Sequence, residues 1–308
     1  MKPICLLSEI QDFSPNALEK LQHLFDVKPL EQVEKKHFEQ VEVLFVRLKL
    51  FIGPVLLSRF RNLQFICSPT TGLNHIDLSF CEKNNINVIS LVSDKQFLEK
   101  NVTATSEYTW ALFLAVWRNI ITNYNDVCSG NWDRDKFKSH QLRGKRIGII
   151  GLGRVGKKIR RYAHSFDMRI EYYDPYKSTF GGKRNTLEEL LINNDIIFIS
   201  CEYSDETKNL INKNNLNFLK KGSFIINTAR GEIVNENDLL DVILKKNFKY
   251  VADVIANESS LESSNLTIFT SAKLKNNVFL TSHIAGACYD AMQITEERVT
   301  DKLMEKIC

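Results

Sequence analysis

The first hundred residues alternate short apolar runs with stretches that are apolar on one face only. The pair Ser14-Pro15 is typical of a helix start, and the residues after it place Leu18, Leu21 and Phe25 on one helical face. Four apolar runs have the length of buried strands, namely Ile4–Leu7, Val43–Val46, Phe65–Cys67 and Val88–Ser90. Such alternation predicts a parallel sheet with helices on both faces.

The second half repeats this alternation more regularly. Its predicted strands are Arg146–Ile150, Ile170–Asp174, Ile196–Ser200, Ser223–Asn227, Lys249–Val254 and Val278–Thr281. Helical patterns separate the first five, and six strands joined by crossover helices predict a doubly wound sheet. A long helical region over about 105–127 precedes these strands, and a last helix over about 288–306 follows them.

Length and composition indicate a globular protein of two domains. The chain has 308 residues, more than the length of about 250–300 at which single cores tend to split. Hydrophobic residues make up 44% and charged residues 25%. These fractions are close to the averages for globular proteins and exclude disordered, collagenous and coiled-coil chains. The net charge of +4 is too small to predict nucleic acid binding by itself.

No segment predicts export, a membrane span or a metal centre. The most apolar stretch, Trp110–Trp117, has eight residues, whereas a span needs about 20, so it predicts a buried helix. Seven scattered cysteines without a C-x-x-C pair favour reduced thiols and argue against zinc and disulfides. The six histidines include no H-x-x-x-H pair. The sequence therefore predicts a cytoplasmic protein with no bound metal and no membrane partner.

The strongest local motif is a G-x-G-x-x-G formed by Gly151, Gly153 and Gly156, between an apolar strand and a helical pattern. Gly151 permits a tight turn, Gly153 lets the backbone approach a pyrophosphate, and Gly156 lets helix and strand pack closely. Asp174 ends the next strand, where a carboxylate accepts ribose hydroxyls and repels a 2′-phosphate. The pattern predicts an NAD site. The alternative is a structural turn in which Asp174 caps a helix.

Positive charge is concentrated around this motif. Residues 134–161 contain eleven Lys or Arg and one acidic residue, an excess of ten positive charges. This excess favours attraction of an anionic cofactor; the alternatives are a solvated helix face and, more remotely, nucleic acid. Lys177 and Arg184 lie near Asp174 in sequence and keep NADP open as an alternative to NAD.

Further segments occur in a fixed order along the chain. They are Thr70–Asp77, Thr103–Glu107, the Gly151 loop with Tyr173–Tyr176, Ile226–Val234, Ala252–Glu258 and Leu280–Gly286. Together they resemble the D-isomer-specific 2-hydroxyacid dehydrogenase family, which includes D-3-phosphoglycerate dehydrogenase, over almost the whole chain. The resemblance implies an α/β fold with a Rossmann-type, doubly wound NAD domain, residues 101–286. This domain is inserted in a flavodoxin-like substrate domain, residues 1–100 and 287–308.

The resemblance also implies that Arg230, Glu258 and His283 form the catalytic set. The residue types suit hydride transfer to or from a 2-hydroxy acid. An arginine binds a carboxylate in bidentate fashion, and a histidine exchanges the hydroxyl proton near pH 7. Glu258 then holds the imidazolium. Without the resemblance, the favoured readings are structural: Arg230 forms a surface ion pair, His283 is a hydrogen-bonded core residue and Glu258 is a solvated loop acid.

Other ligand positions follow from the resemblance alone. The family's cofactor-lining positions correspond to Thr105, Arg154, Val155, Thr228, Ala229, Asp253 and Gly286. Its substrate-binding positions correspond to Arg47, Gly72 and Leu73. The chain departs from the family where His and Pro are common, since it has Ser200, Glu202, Ser259 and Ser282 there. None of these departures removes a catalytic group, but Glu202 near a pyrophosphate weakens the expected cofactor affinity.

The functional hypothesis is an NAD-dependent dehydrogenase or reductase of a small 2-hydroxy or 2-keto acid. The alternative is an NAD-sensing, corepressor-like binding module without turnover, and an enzyme acting on another small anion shares the cofactor site. The family suggests a homodimer through the helix after Glu107.

Overall fold

A computed structural model of the chain describes residues 2–178, 182–258, 269, 274 and 276–307. The chain divides into two compact units, unit 1 (Met1–Val102 with Ala287–Cys308) and unit 2 (Thr103–Gly286). Each unit contains one parallel sheet with helices, so the predicted α/β class is confirmed.

Strands and helices alternate over most of the chain. The strands are β1 (Ile4–Leu7), β2 (Asp26–Pro29), β3 (Val41–Phe45), β4 (Phe65–Ser68), β5 (Asn87–Ser90), β6 (Arg146–Ile150), β7 (Arg169–Tyr173), β8 (Lys183–Arg184), β9 (Ile196–Ile199), β10 (Phe224–Asn227), β11 (Lys249–Ala252) and β12 (Val278–Leu280). The α-helices are α1 (Pro15–Leu24), α2 (Pro54–Leu57), α3 (Leu78–Lys83), α4 (Lys95–Asn101), α5 (Ala104–Trp117), α6 (Ile120–Cys128), α7 (Arg154–Ser165), α8 (Leu187–Asn193), α9 (Lys213–Leu216), α10 (Glu236–Lys246) and α11 (Tyr289–Ile307).

The sheet of unit 1 has the flavodoxin-like order β2-β1-β3-β4-β5. Its first helix begins where the sequence predicts, because the Ser14 side chain accepts a hydrogen bond from the Ala17 amide and proline occupies the first turn. The last helix of the chain, α11, also belongs to this unit. It packs on α1 and β4 and buries Val299 and Leu303.

The sheet of unit 2 has the order β12-β11-β10-β9-β6-β7-β8, and all its pairings are parallel. The helix α5 covers one face with an aromatic cluster, in which Trp117 lies 5.0 Å from Phe224 and Phe113 lies 5.3 Å from Phe198, measured between ring centroids. The apolar stretch from Trp110 is therefore a buried helix, as predicted. In the described part of the chain, no helix is long and apolar enough to cross a membrane.

The structure differs from the predicted elements at two kinds of position. The helical region over 105–127 is two helices, because Asn119 between them has a φ of 56°, a left-handed conformation that ends a helix. The strands β2 and β8 were not predicted. Both lie at sheet edges and contain charged residues, so no apolar run marks them in the sequence.

Candidate active site

The glycine-rich loop lies where the strand order of unit 2 reverses, between β6 and β9. Ligands of open α/β sheets bind outside the carboxyl ends of the strands at this point. Gly151 follows β6 with a φ of 91°, and a Cβ there would lie 2.6 Å from the backbone nitrogen of Cys201. The Ser200 hydroxyl, just after β9, donates to the Gly151 carbonyl oxygen at 2.8 Å. The loop is therefore fixed against the end of β9.

The two other glycines of the motif differ in their surroundings. A Cβ on Gly156 would lie 2.1 Å from the Gly151 carbonyl oxygen, so close packing requires glycine there. Among the described residues, a Cβ on Gly153 would meet no atom closer than 3.9 Å. Gly153 is the residue before α7, and it has no side chain that could cap the first-turn amides of this helix. These amides include those of Arg154 and Val155. Open space beside first-turn amides fits the pyrophosphate of NAD.

Asp174 directly follows β7 and is buried. One carboxylate oxygen accepts the Leu152 amide of the glycine-rich loop at 2.7 Å. The other accepts the amides of Tyr176 and Lys177, each at 2.9 Å. The carboxylate therefore lies beside the loop and connects it to the end of β7. Its contact with ribose stays a prediction.

Arg230 stands in a turn after β10 that Asn227 holds. The Asn227 side chain donates to the Arg230 carbonyl oxygen at 3.0 Å and accepts the Ala229 amide at 3.1 Å. The Thr228 hydroxyl lies 2.6 Å from that of Thr109 on α5. The sequence analysis missed Asn227, although it lies inside a segment that carries the family resemblance.

Three of the predicted cofactor-lining residues come together at the start of α5. The Thr105 carbonyl oxygen accepts the Thr109 hydroxyl at 2.5 Å, and that hydroxyl reaches Thr228. A Cβ on Gly286 would lie 3.9 Å from the Thr105 hydroxyl oxygen. Thr105, Thr228 and Gly286 therefore line one region of unit 2, although their contact with a nicotinamide stays a prediction.

His283 follows β12 and pairs with Glu258. Its Nδ1 lies 2.5 Å from Oε2 of the carboxylate, and the His283 side chain is 25% exposed. A carboxylate accepts hydrogen bonds only, so Nδ1 carries the hydrogen and Nε2 is the ring nitrogen left to exchange a proton. His283 has a φ of 54°, a left-handed conformation that costs about 1–3 kcal/mol in a residue with a side chain.

The buried side chain of Asp253 holds the His283 loop in this conformation. One carboxylate oxygen accepts the Thr281 hydroxyl at 2.5 Å and the Ile284 amide at 3.0 Å. The other accepts the Ala285 amide at 2.7 Å, and the His283 amide donates to the Asp253 carbonyl oxygen at 2.8 Å. Asp253 thus supports the His283 loop, a role that the sequence analysis did not foresee. Its predicted contact with the cofactor stays a prediction.

The turn of Arg230 and the turn of Glu258 touch at Gly231. A Cβ on Gly231 would lie 1.9 Å from the carbonyl carbon of Ile255, so only glycine permits this approach. Burial lowers the pKa of the Arg230 guanidinium, and the nearby Glu258 carboxylate raises it. An arginine remains protonated under such influences. The structure therefore places a fixed cation beside the turn that carries Glu258, which pairs with His283.

The predicted substrate-binding residues lie at the carboxyl ends of the strands of unit 1. Arg47 follows β3, and Gly72 and Leu73 follow β4. The Arg47 guanidinium donates to the fully buried carboxylate of Glu296 at 2.8 Å through Nε and to the Gln11 carbonyl oxygen at 3.0 Å. Arg47 is therefore bound to an acid of its own unit, and its contact with a substrate stays a prediction.

Two further expectations from the sequence concern Ser259 and a metal centre. Ser259, where the family often has proline, lies outside the described residues. Within the described ranges, no group of three His, Cys, Asp or Glu side chains could hold a metal ion.

The fold and the site define a two-unit α/β protein with a dinucleotide loop and with an arginine, a glutamate and a histidine after three neighbouring strands, β10, β11 and β12. Residues 110–285 match the NAD binding domain of the D-isomer specific 2-hydroxyacid dehydrogenases. The chain belongs to this family, which confirms the resemblance found in the sequence.

Similar proteins extend the match over most of the chain. The glyoxylate reductase of Aeropyrum pernix is 29% identical over 293 residues, which cover 89% of this chain and 84% of that protein. The D-3-phosphoglycerate dehydrogenase of Archaeoglobus fulgidus is 31% identical over 256 residues, which cover 81% of this chain and 46% of that longer protein. A crystal structure of the D-lactate dehydrogenase from Aquifex aeolicus, complexed with NAD and lactic acid, superposes with a TM-score of 0.84. It is 25% identical and covers 99% of this chain and 95% of its own.

Proposed function

We propose that the protein is an NAD-dependent oxidoreductase that moves a hydride between the nicotinamide and a small 2-hydroxy or 2-keto acid. The observation that carries this proposal is the pairing of His283 Nδ1 with Glu258 at 2.5 Å, beside the turn of Arg230. A carboxylate-bound imidazole and a fixed guanidinium are the groups that this reaction needs. NAD, when bound, supplies the hydride acceptor or donor.

Each catalytic residue has a role that its surroundings support. Arg230 binds the substrate carboxylate and the oxygen on the second carbon, because its guanidinium is planar, stays charged and offers paired donors. His283 gives a proton from Nε2 to that oxygen during reduction and removes it during oxidation. Glu258 fixes the tautomer of the ring through Nδ1 and stabilises the imidazolium.

Each unit binds a different ligand in this proposal. Unit 2 holds NAD through Gly151, Gly153, Gly156 and Asp174, and the loop geometry described above supports this role. Unit 1 is the substrate domain and contacts the substrate through the backbone amides of Gly72 and Leu73. Support for this assignment comes from the position of these residues at the carboxyl end of an open parallel sheet.

The direct test replaces the acid–base group. His283→Ala lowers turnover by a factor of about 10²–10⁴, the range that acid–base catalysis supplies, and leaves the Kd for NADH within about twofold. Turnover is measured as the loss of NADH absorbance with a panel of 2-keto acids such as glyoxylate, pyruvate and hydroxypyruvate. NADH binding is measured by its fluorescence. An alanine variant as active as the wild type contradicts the proposed mechanism.

The same panel separates the enzyme from the alternative. An NAD-sensing module binds NADH at micromolar concentration and oxidises it with none of the 2-keto acids. The relatives described above are a reductase and dehydrogenases, which supports turnover over sensing.

The proposal also covers the oligomeric state and the cellular location. The protein works as a homodimer, and the support is an exposed apolar surface on α6 and the segment after it, where the Tyr124 side chain is 68% and Trp132 89% exposed. It resides in the cytoplasm, and the support is that the six cysteines within the described residues are all free thiols.

A further inference from the structure

Three consecutive backbone amides in the turn before Glu258 each donate to a different glutamate. The pairs are Ile255 with Glu258 at 3.0 Å, Ala256 with Glu236 at 2.8 Å, and Asn257 with Glu232 at 3.1 Å. Glu258 uses its Oε1 for this bond and its Oε2 for His283. The carboxylate that orients the imidazole is therefore part of a turn held by two further carboxylates.

The two further glutamates come from another part of unit 2. Glu232 lies in the short 3-10 helix Gly231–Ile233, and Glu236 is the first residue of α10. Both follow the turn of Arg230 along the chain. The bonds from Glu232 and Glu236 therefore connect the segment that carries the guanidinium to the segment that carries Glu258.

The turn needs these bonds because its own backbone is unfavourable. Asn257 has a φ of 57°, in the left-handed region, immediately before Glu258. An amide without an acceptor in this partly buried turn would also destabilise it. Glu232 and Glu236 supply acceptors for two of the three amides, and Glu258 reaches His283 from a turn with one conformation.

Glu232, Glu236 and Glu258 lie close enough for their carboxylates to repel one another. A cluster with this electrostatic cost indicates a functional role. Burial raises the pKa of the Glu236 carboxyl to about 7, and the neighbouring Glu232 and Glu258 carboxylates raise it as well. Among the described residues, the hydroxyl of buried Tyr250 also interacts with this carboxyl. A neutral side chain would hold one amide at lower cost, so the arrangement is typical of a functional site.

We propose that Glu236 and Glu232 are positioning residues for the catalytic pair, and that they act through the 255–257 turn on the placement of Glu258 and His283. This inference rests on the proposed function for its kinetic part only. Neither glutamate touches the reacting atoms. Their contribution lies in the alignment of the imidazole, and a misplacement of about 1 Å costs up to about a hundredfold in rate.

The kinetic test compares three substitutions on the same segment. Glu236→Ala lowers kcat with a 2-keto acid by at least about tenfold, while KM and the Kd for NADH stay within about twofold. Glu236→Gln keeps an acceptor oxygen for the Ala256 amide and restores most of the activity. Asp241→Ala is the matched control, because Asp241 lies on the same helix with its side chain 64% exposed and only a 4.0 Å ion pair to Lys213. The control keeps wild-type kcat.

A double-mutant cycle separates positioning from a purely structural role. In a His283→Gln background the imidazole is absent, so Glu236→Ala has no further effect on the residual rate. Glu232→Ala is measured in the same way and serves as the second variant if Glu236→Ala does not fold. An equal loss in both backgrounds, or a wild-type kcat in the alanine variants, overturns the proposal.

One readout does not depend on turnover. In the protein without substrate, the imidazole signals of His283, assigned with His283→Gln, shift in NMR spectra of Glu236→Ala and Glu232→Ala and stay in place in Asp241→Ala. Unchanged signals in both alanine variants overturn the inference even if the enzyme is active. Shifted signals in a protein that reduces no 2-keto acid uphold the inference and overturn the proposed function instead.

Discussion

At the scale of single residues, the Asp253 carboxylate accepts three hydrogen bonds from the His283 loop. We expect Asp253→Asn to lower kcat by at least about tenfold, because an amide has one acceptor oxygen where the carboxylate has two. The loss of one buried acceptor lowers the free energy of unfolding by about 1–3 kcal/mol. Steady-state kinetics and urea unfolding measure the two effects. A variant with wild-type kcat would show that the loop holds His283 without this carboxylate.

Glu236 provides a second residue-scale prediction, concerning pH. Burial raises the pKa of its carboxyl to about 7 from 4.5. A carboxyl group with a raised folded-state pKa stabilises the fold fully below its unfolded pKa, and this stabilisation is lost as the pH rises through about 7. Gln carries no charge at any pH. We therefore expect the unfolding free energy of Glu236→Gln, relative to the wild type, to increase between pH 5 and 8.

The size of this increase is about 1–2 kcal/mol, below the full value for such a shift, because the group is partly exposed to solvent. Urea unfolding of both proteins at pH 5, 6, 7 and 8 measures it, and Asp241→Asn serves as the control on an exposed acid of the same helix. A difference between Glu236→Gln and wild type that is constant over this range contradicts the prediction.

Residue types and motif order predicted a candidate catalytic set, but not what holds its side chains in place. Glu258 and His283 were identified from their segments, and the structure brings them within 2.5 Å. The bonds of Asp253 join residues 28 to 32 positions apart, and those of Glu232 and Glu236 join residues 20 to 25 apart. Such pairings depend on strand order and turn geometry, which no local pattern records. Arg47 illustrates the same limit, because its bond to Glu296 spans 249 positions.

At the scale of elements, two glycines of the strand–loop–helix unit are expected to have different roles, Gly156 in packing and Gly153 in ligand binding. A Cβ on Gly156 would lie 2.1 Å from a backbone oxygen, whereas a Cβ on Gly153 would meet nothing closer than 3.9 Å among the described residues. We expect Gly156→Ala to lower the unfolding free energy by about 1–3 kcal/mol through overpacking. We expect Gly153→Ala to leave stability unchanged and to raise the Kd for NADH at least about tenfold.

The two variants are controls for each other. Thermal unfolding and NADH fluorescence titration are carried out on both. Equal NADH affinity of Gly153→Ala and wild type would show that the loop is not part of the cofactor site. Reduced stability of Gly153→Ala would show that packing within the protein requires glycine at this position.

Strands marked by an apolar run were predictable, including β5 and β12 at sheet edges, and the charged edge strands β2 and β8 were not. The strands β1, β6 and β9 are almost fully buried, so continuous apolar runs mark them in the sequence. The edge strands β2 and β8 contain charged residues and no fully buried side chain, and pairing with a neighbouring strand defines them. The break between α5 and α6 rests on one asparagine in a left-handed conformation, a state that asparagine adopts in some positions only.

At the scale of the whole molecule, the placement of surface charge and apolar surface carries more information than the totals. The net charge is +4, yet residues 134–161 alone have an excess of ten positive charges. This segment contains β6, the glycine-rich loop and the first part of α7. Its charge attracts an anionic dinucleotide, so the rate of NADH association falls as the salt concentration rises.

The exposed apolar surface of unit 2 carries the last prediction. Its residues are Ile120, Ile121, Tyr124 and Val127 on α6 and Trp132 after it. Exposed apolar groups of this kind mark protein interfaces, and in the proposed homodimer a second copy of the chain buries them. We therefore expect a mass of twice 35.5 kDa in solution by light scattering after size exclusion.

Ile121→Glu buries an unpaired charge in such an interface and weakens the dimer at least about a hundredfold, so that the variant has the mass of one chain. Val55→Glu, at an 80% exposed position of unit 1, is the matched control and leaves the mass doubled. A wild-type protein with the mass of one chain, or an Ile121→Glu variant with a doubled mass, shows that this surface does not join two copies.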